Sequence, residues 1–172
     1  MPGPSNIFLV GPMGSGKSAV GVWLSKRLEL PFADSDAYIE QETGVDISRI
    51  FDIEGEEGFR EREEQAIGNL CSRQGLVLAT GGGAVLRADN RRALRSNGTV
   101  FYLQCSLDEQ VERTRSARNR PLLEQGPRRQ VLKKLLTLRE PLYREVADHV
   151  VDTNGLEVRQ VGRNIIRLLN RA

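Results

Sequence analysis

One eight-residue stretch has the composition and spacing to hold phosphate. Gly11-Pro12-Met13-Gly14-Ser15-Gly16-Lys17-Ser18 fits the pattern G-x-x-x-x-G-K-[ST]. An apolar run, Asn6–Val10, enters it and an amphipathic stretch leaves it, so it reads as a strand–loop–helix unit. Glycines let the backbone curl around an anion with its N–H groups turned inward, and the helix N-terminus adds partial positive charge. Lys17 can reach the outer phosphates of a nucleotide, and the Ser18 hydroxyl can hold Mg²⁺. A Gly-rich turn with a chance lysine does not explain both flanks. The motif alone leaves a GTPase, an ATPase motor and a small-molecule kinase open. A guanine-reading Asn-Lys-x-Asp is missing: neither Asn90-Arg91 nor Asn119-Arg120 continues correctly. The apolar run Leu76–Ala79 ends in Thr-Gly-Gly-Gly, where a motor would carry Asp-Glu.

Further along lie residues suited to an acceptor. Asp34-Ser35-Asp36 closes a second short strand, Pro31–Asp34. Two carboxylates there can serve a metal's neighbourhood and ligand hydroxyls. The plainer reading is a helix start, with Ser35 or Asp36 capping Ala37–Glu42. Gly81-Gly82-Gly83 closes the third strand and permits close backbone approach, or is simply a tight turn. In Gly58-Phe59-Arg60-Glu61-Arg62-Glu63-Glu64 the residues alone do not choose between Arg60 and Arg62. Arg62, Glu63 and Glu64 read as a solvated, ion-paired helix face. Arg139, in Leu-Arg-Glu-Pro-Leu-Tyr, is either a surface arginine or a bidentate carboxylate holder. Arg118-Asn119-Arg120-Pro121-Leu122-Leu123 breaks a helix and suits a basic flap that closes over phosphates, or an exposed loop.

The elements that must position these residues alternate. Strands are expected at Asn6–Val10, Pro31–Asp34, Leu76–Thr80, Thr99–Gln104 and Val150–Asp152. Helices are expected at Lys17–Leu30, through the charged stretch Glu40–Gln74 with interruptions at Gly44, Gly55 and Gly58, at Asp89–Ser96 with Asp89 as N-cap, at Leu107–Ser116, at Arg128–Val146 with a break at Pro141, and at Glu157–Asn170. Short strands alternating with helices predict an α/β sandwich of three layers with a parallel sheet. The 172 residues suit one domain, 1–172. Excursions are expected at about 35–62 and 112–126.

Composition narrows the chemistry. Twenty-five basic against 23 acidic residues, a net +2, is too balanced to argue for nucleic acid. With Cys71, Cys105 and His149 as the only residues of their kinds, neither a Cys/His zinc site nor a Ser-His-Asp triad leads. No apolar run approaches the roughly 20 residues that span a bilayer, and no secretory signal is seen. A cytoplasmic monomer without nucleic-acid or membrane partners is therefore the expectation. Trp23, at helical spacing, reads as packing.

Taken together, the motifs resemble the bacterial shikimate kinases. Gly-x-Met-Gly-x-Gly-Lys-Ser, Asp34-Ser-Asp36, Gly-Glu-Glu-Gly-Phe-Arg60, Thr-Gly81-Gly82-Gly83, Arg120-Pro-Leu-Leu and Arg139-x-Pro-Leu-Tyr occur in this order from Asn6 to about Asp152. The resemblance implies a P-loop fold like that of the nucleoside monophosphate kinases, with a five-stranded parallel sheet in order 2-3-1-4-5. It implies transfer of the γ-phosphate of ATP to the 3-hydroxyl of shikimate, giving shikimate 3-phosphate on the route to chorismate and the aromatic amino acids, with Mg²⁺ as cofactor. On that pattern Gly14, Ser15, Gly16, Lys17, Ser18 and Ala19 cradle the ATP phosphates, and Ser18 ligates the metal. Lys17 stabilises the transferring group, and Asp34 orients or deprotonates the hydroxyl. Asp36 and the Gly82 N–H take shikimate hydroxyls, and Arg60 and Arg139 its carboxylate. Arg120 reaches ATP from a lid at about 112–126, and 35–62 forms the shikimate-binding subdomain. A gluconate-type or nucleoside monophosphate kinase, or a silent nucleotide-binding module, are the competing readings. The stretch Asp152-Thr153-Asn154-Gly155-Leu156 matches the family only loosely, which leaves the adenine contacts open.

Overall fold

Asn6–Val10 forms β1, and all five of its residues are buried. A strand apolar on both faces belongs at the centre of a covered parallel sheet, and β1 lies there. The structure, a computed structural model, describes residues 5–116 and 120–171. After β1 come α1 (Lys17–Leu28), β2 (Phe32–Asp34), α2 (Ser35–Thr43), α3 (Ile47–Cys71), β3 (Val77–Ala79), α4 (Ala88–Asn97), β4 (Gly98–Gln104), α5 (Leu107–Arg113), α6 (Arg128–Val146), β5 (His149–Asp152) and α7 (Val158–Arg171). Short 3-10 turns occupy Ala84–Leu86 and Pro121–Gln125.

The sheet runs β2-β3-β1-β4-β5, parallel throughout. This is the expected order. The register pairs Leu9 with Ala79 and Asp34 with Ala79, so β1, β2 and β3 end at one level. The chain leaves β1 toward β2 and later leaves β3 toward β4. The two connections run in opposite directions on opposite faces of the sheet, α1 on one and α4 on the other, and a crevice opens at the carboxyl ends of β1 and β3.

Alternation along β1 divides the core. Phe8 and Val10 face Ile67, Leu70, Leu94 and Tyr143 of α3, α4 and α6. Ile7 and Leu9 face Val20, Leu24, Val161 and Ile165 of α1 and α7. A third, smaller cluster of Ile39, Ile47, Ile50, Phe59 and Ala66 lies between α2 and α3. The segment 35–62 therefore packs largely on apolar residues of its own.

Several boundaries differ from expectation. The first helix stops at Leu28 because Glu29 takes a left-handed conformation, φ 56°. The charged stretch is interrupted at Gly44 as expected, which makes it two helices, the second started by Asp46, whose side chain accepts from the Arg49 N–H at 2.9 Å. Within α3 the chain bends at Gly55, where φ is 74°, but runs through Gly58 unbroken. Asp89 is not an N-cap: α4 starts one residue earlier, with Arg87 at the cap position. Asp89 sits in the first turn, where a carboxylate faces the positive helix end, and pairs with Arg92. Pro141 does not break α6. Pro141 and Thr137, whose carbonyl it cannot serve, are both exposed, so water can take that carbonyl. The fifth strand begins at His149, which pairs in register with Phe101 and stacks on its ring at 5.2 Å.

Candidate active site

A cleft of about 620 Å³ opens at the carboxyl ends of β1, β2 and β3. Its walls include Gly14, Gly16, Lys17, Ser18 and Ala19 from the phosphate loop, Asp34 and Asp36 after β2, Arg60 from α3, Gly82 after β3, Arg120, and Arg139 from α6. Ser15 is the one residue of the expected set that is not on the wall. It is buried beneath the loop, its hydroxyl 3.5 Å from the Lys17 ammonium. Arg118 lies outside the described residues. The 112–126 segment is described at both ends, and Arg120, Pro121 and Leu122 reach the cleft.

The loop is shaped to receive an anion. Gly14 and Gly16 have φ of 81° and 89°, a conformation that favours glycine, and Gly16 caps α1. The first N–H groups of α1 therefore point into the cleft without intrahelical partners. Lys17 folds back on the loop, donating to the carbonyls of Gly11 at 2.7 Å and Pro12 at 2.9 Å. Burial, with Arg120 and Arg139 nearby, lowers its pKa to about 8.

Asp34 has two structural engagements. Its Oδ1 accepts from the N–H groups of Asp36 at 2.9 Å and Ala37 at 3.2 Å, so it is the N-cap of α2. Its Oδ2 accepts from the Ser18 hydroxyl at 2.6 Å. The plainer reading of this motif was a cap at Ser35 or Asp36, but the cap is Asp34. The Ser35 hydroxyl instead accepts from the Gly81 N–H at 2.9 Å, tying the two strand ends together. Ser18 and Asp34 place two hard oxygen donors side by side at the helix N-terminus. That suits Mg²⁺, which takes few protein ligands and completes its shell with phosphate and water. Among the described residues no group of three or more His, Cys, Asp and Glu forms a cage for a metal.

The Gly81-Gly82-Gly83 turn is the floor of the acceptor side. A Cβ at Gly81 would lie 2.7 Å from Asp36 Oδ1 and 3.0 Å from Glu63 Oε2, and one at Gly83 would lie 2.5 Å from the Arg60 guanidinium nitrogens. Glycine is needed because charged side chains lie directly on this backbone. At Gly82 the Arg139 guanidinium would be 3.4 Å away. The Gly82 carbonyl accepts from the Tyr143 hydroxyl at 2.6 Å, which fixes the turn.

Arg60 and Arg139 are 6% and 4% exposed, while Arg62 points outward to Glu54. The structure thereby separates the two arginines that the sequence left level. Glu63 overturns the solvated-face reading: it is 1% exposed and accepts from Arg60 at 2.9 Å. Burial raises its pKa, and burial together with Glu63 and Asp34 raises that of Asp36 to about 6. Asp36 Oδ1, Glu63 Oε2 and Arg60 Nε are buried and lack hydrogen-bond partners among the described residues. Unpaired buried polar atoms are costly, and a polar ligand entering this cleft would relieve that cost. Tyr143, one turn after Arg139, is a second contributor that sequence reasoning passed over. The signal was present in the i, i+4 spacing within the quoted motif.

The stretch after β5 packs beside the phosphate loop. Arg113 donates to the Gly14 carbonyl at 3.0 Å and to the Thr153 carbonyl at 3.0 Å. Asn154 Oδ1 accepts from the Ser106 N–H at 2.9 Å. Cys71 and Cys105 are both free and buried.

Comparison with known proteins settles the lineage. The family model described as shikimate kinase matches residues 13–170. The chain belongs to the shikimate kinase family. A shikimate kinase from Pseudomonas savastanoi pv. phaseolicola is 55% identical over 164 residues, covering 95% of each chain. The solved shikimate kinase from Acinetobacter baumannii, in complex with shikimate, is 46% identical, with a TM-score of 0.96 over 98% of this chain and 94% of that one. The Bacteroides thetaiotaomicron shikimate kinase is 29% identical, with a TM-score of 0.89 over 96% and 98%. Membership in the shikimate kinase family makes the chain a P-loop phosphotransferase that uses ATP. Among the described residues no helix is long and apolar enough to cross a membrane.

Proposed function

We propose that this chain transfers the γ-phosphate of ATP to the 3-hydroxyl of shikimate within the single cleft described above, giving shikimate 3-phosphate and ADP. The observation that carries the reading is the pairing of two buried arginines, Arg60 and Arg139, with a phosphate loop on the walls of one cleft. An acceptor that needs both is a small carboxylate bearing a hydroxyl.

The residues divide the work. The backbone of Gly14, Ser15, Gly16, Lys17, Ser18 and Ala19 holds the phosphates; the Ser15 N–H, which donates to the Pro12 carbonyl at 3.2 Å, has to turn from it to take part. Lys17 leaves its carbonyl partners and moves its charge onto the transferring group. Arg120 adds charge from the nucleotide side as the 112–126 segment closes. Arg60 and Arg139 take the carboxylate, and Asp36 and the Gly82 N–H take ring hydroxyls. Asp34 already accepts from Ser18 and two amides, so it directs the attacking hydroxyl from a fixed position. Ser18 would hold Mg²⁺ with Asp34 beside it, and the ion supplies neutralisation of phosphate charge. Phosphoryl transfer passes through a loose transition state, so orientation and charge neutralisation account for most of the acceleration. On this reading the protein acts in the cytoplasm as a monomer.

ADP release with Mg-ATP and a panel of shikimate, gluconate and nucleoside monophosphates tests the reading. Release with shikimate alone supports it. Release with another acceptor keeps the phosphate loop and overturns the acceptor site, and no release with any of them overturns the reaction.

A further inference from the structure

A second groove lies on the opposite face of the sheet, between α1 and α7. Trp23, Arg27, Arg163, Ile166 and Arg167 line its roughly 450 Å³. The indole of Trp23 rests against the α7 backbone at Gly162, where a Cβ would come within 2.3 Å of the ring. That close approach fixes the ring while leaving it half-buried, with part of its surface on the groove. Arg27 stands one turn beyond Trp23 on α1, and Arg163 and Arg167 stand one turn apart on α7. All three arginines are exposed, and none is in an ion pair formed among the described residues, unlike Arg159, which pairs with Glu157. From Val158 to Arg171 the helix carries four arginines and no acid. Like charges one helical turn apart repel. Here three line one groove beside an aromatic ring, and no acid is among its lining residues.

We propose that this groove binds an aryl phosphate: a planar ring stacked on Trp23, with its phosphate held by Arg27, Arg163 and Arg167. Guanidinium groups match phosphate oxygens bidentately and also pack on aromatic faces. The indole offers a ring-sized apolar contact for a second aromatic ring. Phosphate is favoured over a monocarboxylate because three unpaired positive charges suit a dianion. The site shares no residue with the cleft at the strand ends, so it stands whether or not the proposed reaction does.

Trp23 is the only tryptophan of the chain, so the indole fluorescence originates in this groove. Phenyl phosphate titrated into the full chain is expected to give a saturable change in that fluorescence. Lys17→Met, which disables the phosphate loop, should leave the titration unchanged. Arg163→Gln with Arg167→Gln should weaken it about tenfold or more, with the circular dichroism spectrum retained. Arg27→Gln alone provides the same test should the double variant not fold. Inorganic phosphate should bind at least about tenfold more weakly, since it lacks the ring. No saturable change, a change lost in Lys17→Met but kept in the arginine variants, or equal affinity for inorganic phosphate would each overturn the proposal.

Discussion

Arg60 donates to Glu63 at 2.9 Å with both side chains buried, and the same guanidinium lies against the Gly83 backbone. Glu63 therefore sets where the positive charge stands before any ligand arrives. Among the described residues the other acid on Arg60 is Glu56, at 3.4 Å and half exposed, a poor substitute. Glu63→Ala leaves a buried cation without its partner, which costs roughly 3 kcal/mol. We expect a lower melting temperature together with a raised KM for shikimate. Glu63→Gln, which keeps the shape and an acceptor, should restore most of the stability but less of the affinity. Thermal denaturation and initial rates of the two variants check this. An unchanged KM in Glu63→Ala would show that Arg60 holds its position unaided.

Arg139 tests the acceptor site from the other side. It comes from α6, far in sequence from the phosphate loop, and its guanidinium faces Gly82. A lost charge-assisted hydrogen-bond pair corresponds to roughly 10–100-fold in affinity. Arg139→Ala should raise the shikimate KM by about that factor, with the KM for ATP changed less than about twofold. Equal loss for both substrates would mean that Arg139 serves the whole cleft.

Asp36 predicts a pH effect with a definite sign. Its pKa is raised from 3.8 to about 6, mainly by burial and by Glu63 and Asp34, and against the pull of Arg120 and Lys17. A raised carboxyl prefers the protonated form, so its contribution to stability is full below pH 3.8 and is lost as pH rises through about 6. Asp36→Asn should therefore stabilise the unliganded protein at pH 7.5 by on the order of 2 kcal/mol and bring no gain at pH 4. Activity should move the other way. Shikimate KM in the native chain should fall as pH rises from 5 to 7, because the carboxylate accepts more hydroxyl hydrogen bonds than the acid. A flat KM profile, or a variant destabilised at pH 7.5, would refute the assignment.

How much of this was legible beforehand follows from the range of the interactions. The phosphate loop is local: its eight residues bend themselves, and the pattern states its function. The strand order came with the family resemblance, since nothing in the spacing of five short strands orders them. Arg60 and Arg62 were level because neighbouring charges look alike in a string. A helix separates them, since residues two apart point roughly 200° apart. Arg60 shares its side with Glu63 and Ile67, three and seven residues on, and that apolar neighbour was a usable sign of burial. Glu63 was harder to read, because a buried carboxylate is rare without its partner in view. The cap at Asp34 was missed by one residue, within the normal scatter of helix ends. Arg113 reaches Gly14 of the phosphate loop, 99 residues before it, and Thr153, 40 residues after it, and no local pattern announces either link.

Lys17 gives the last prediction. In the unliganded protein its ammonium is held by two loop carbonyls, and its pKa is about 8, lowered first by burial and then by Arg120. Nucleotide phosphates bring negative charge to the same ammonium and favour its charged form. Below pH 8 the lysine is already protonated and binding takes up no proton. Above pH 8 the free protein must gain one, so ATP affinity should fall as pH rises from 8 to 9.5, by up to about tenfold per unit. The stability sign is separate. A lysine with a lowered folded pKa contributes stability above pH 10.5 that is lost as pH falls through about 8, so the charged ammonium costs stability at neutral pH. Lys17→Met should thus melt at a higher temperature than the native chain at pH 7 while losing turnover. Its residual nucleotide binding should be independent of pH between 8 and 9.5. Calorimetric titration of the native chain and Lys17→Met across that range decides the matter: parallel profiles would show that the pH dependence arises elsewhere in the cleft.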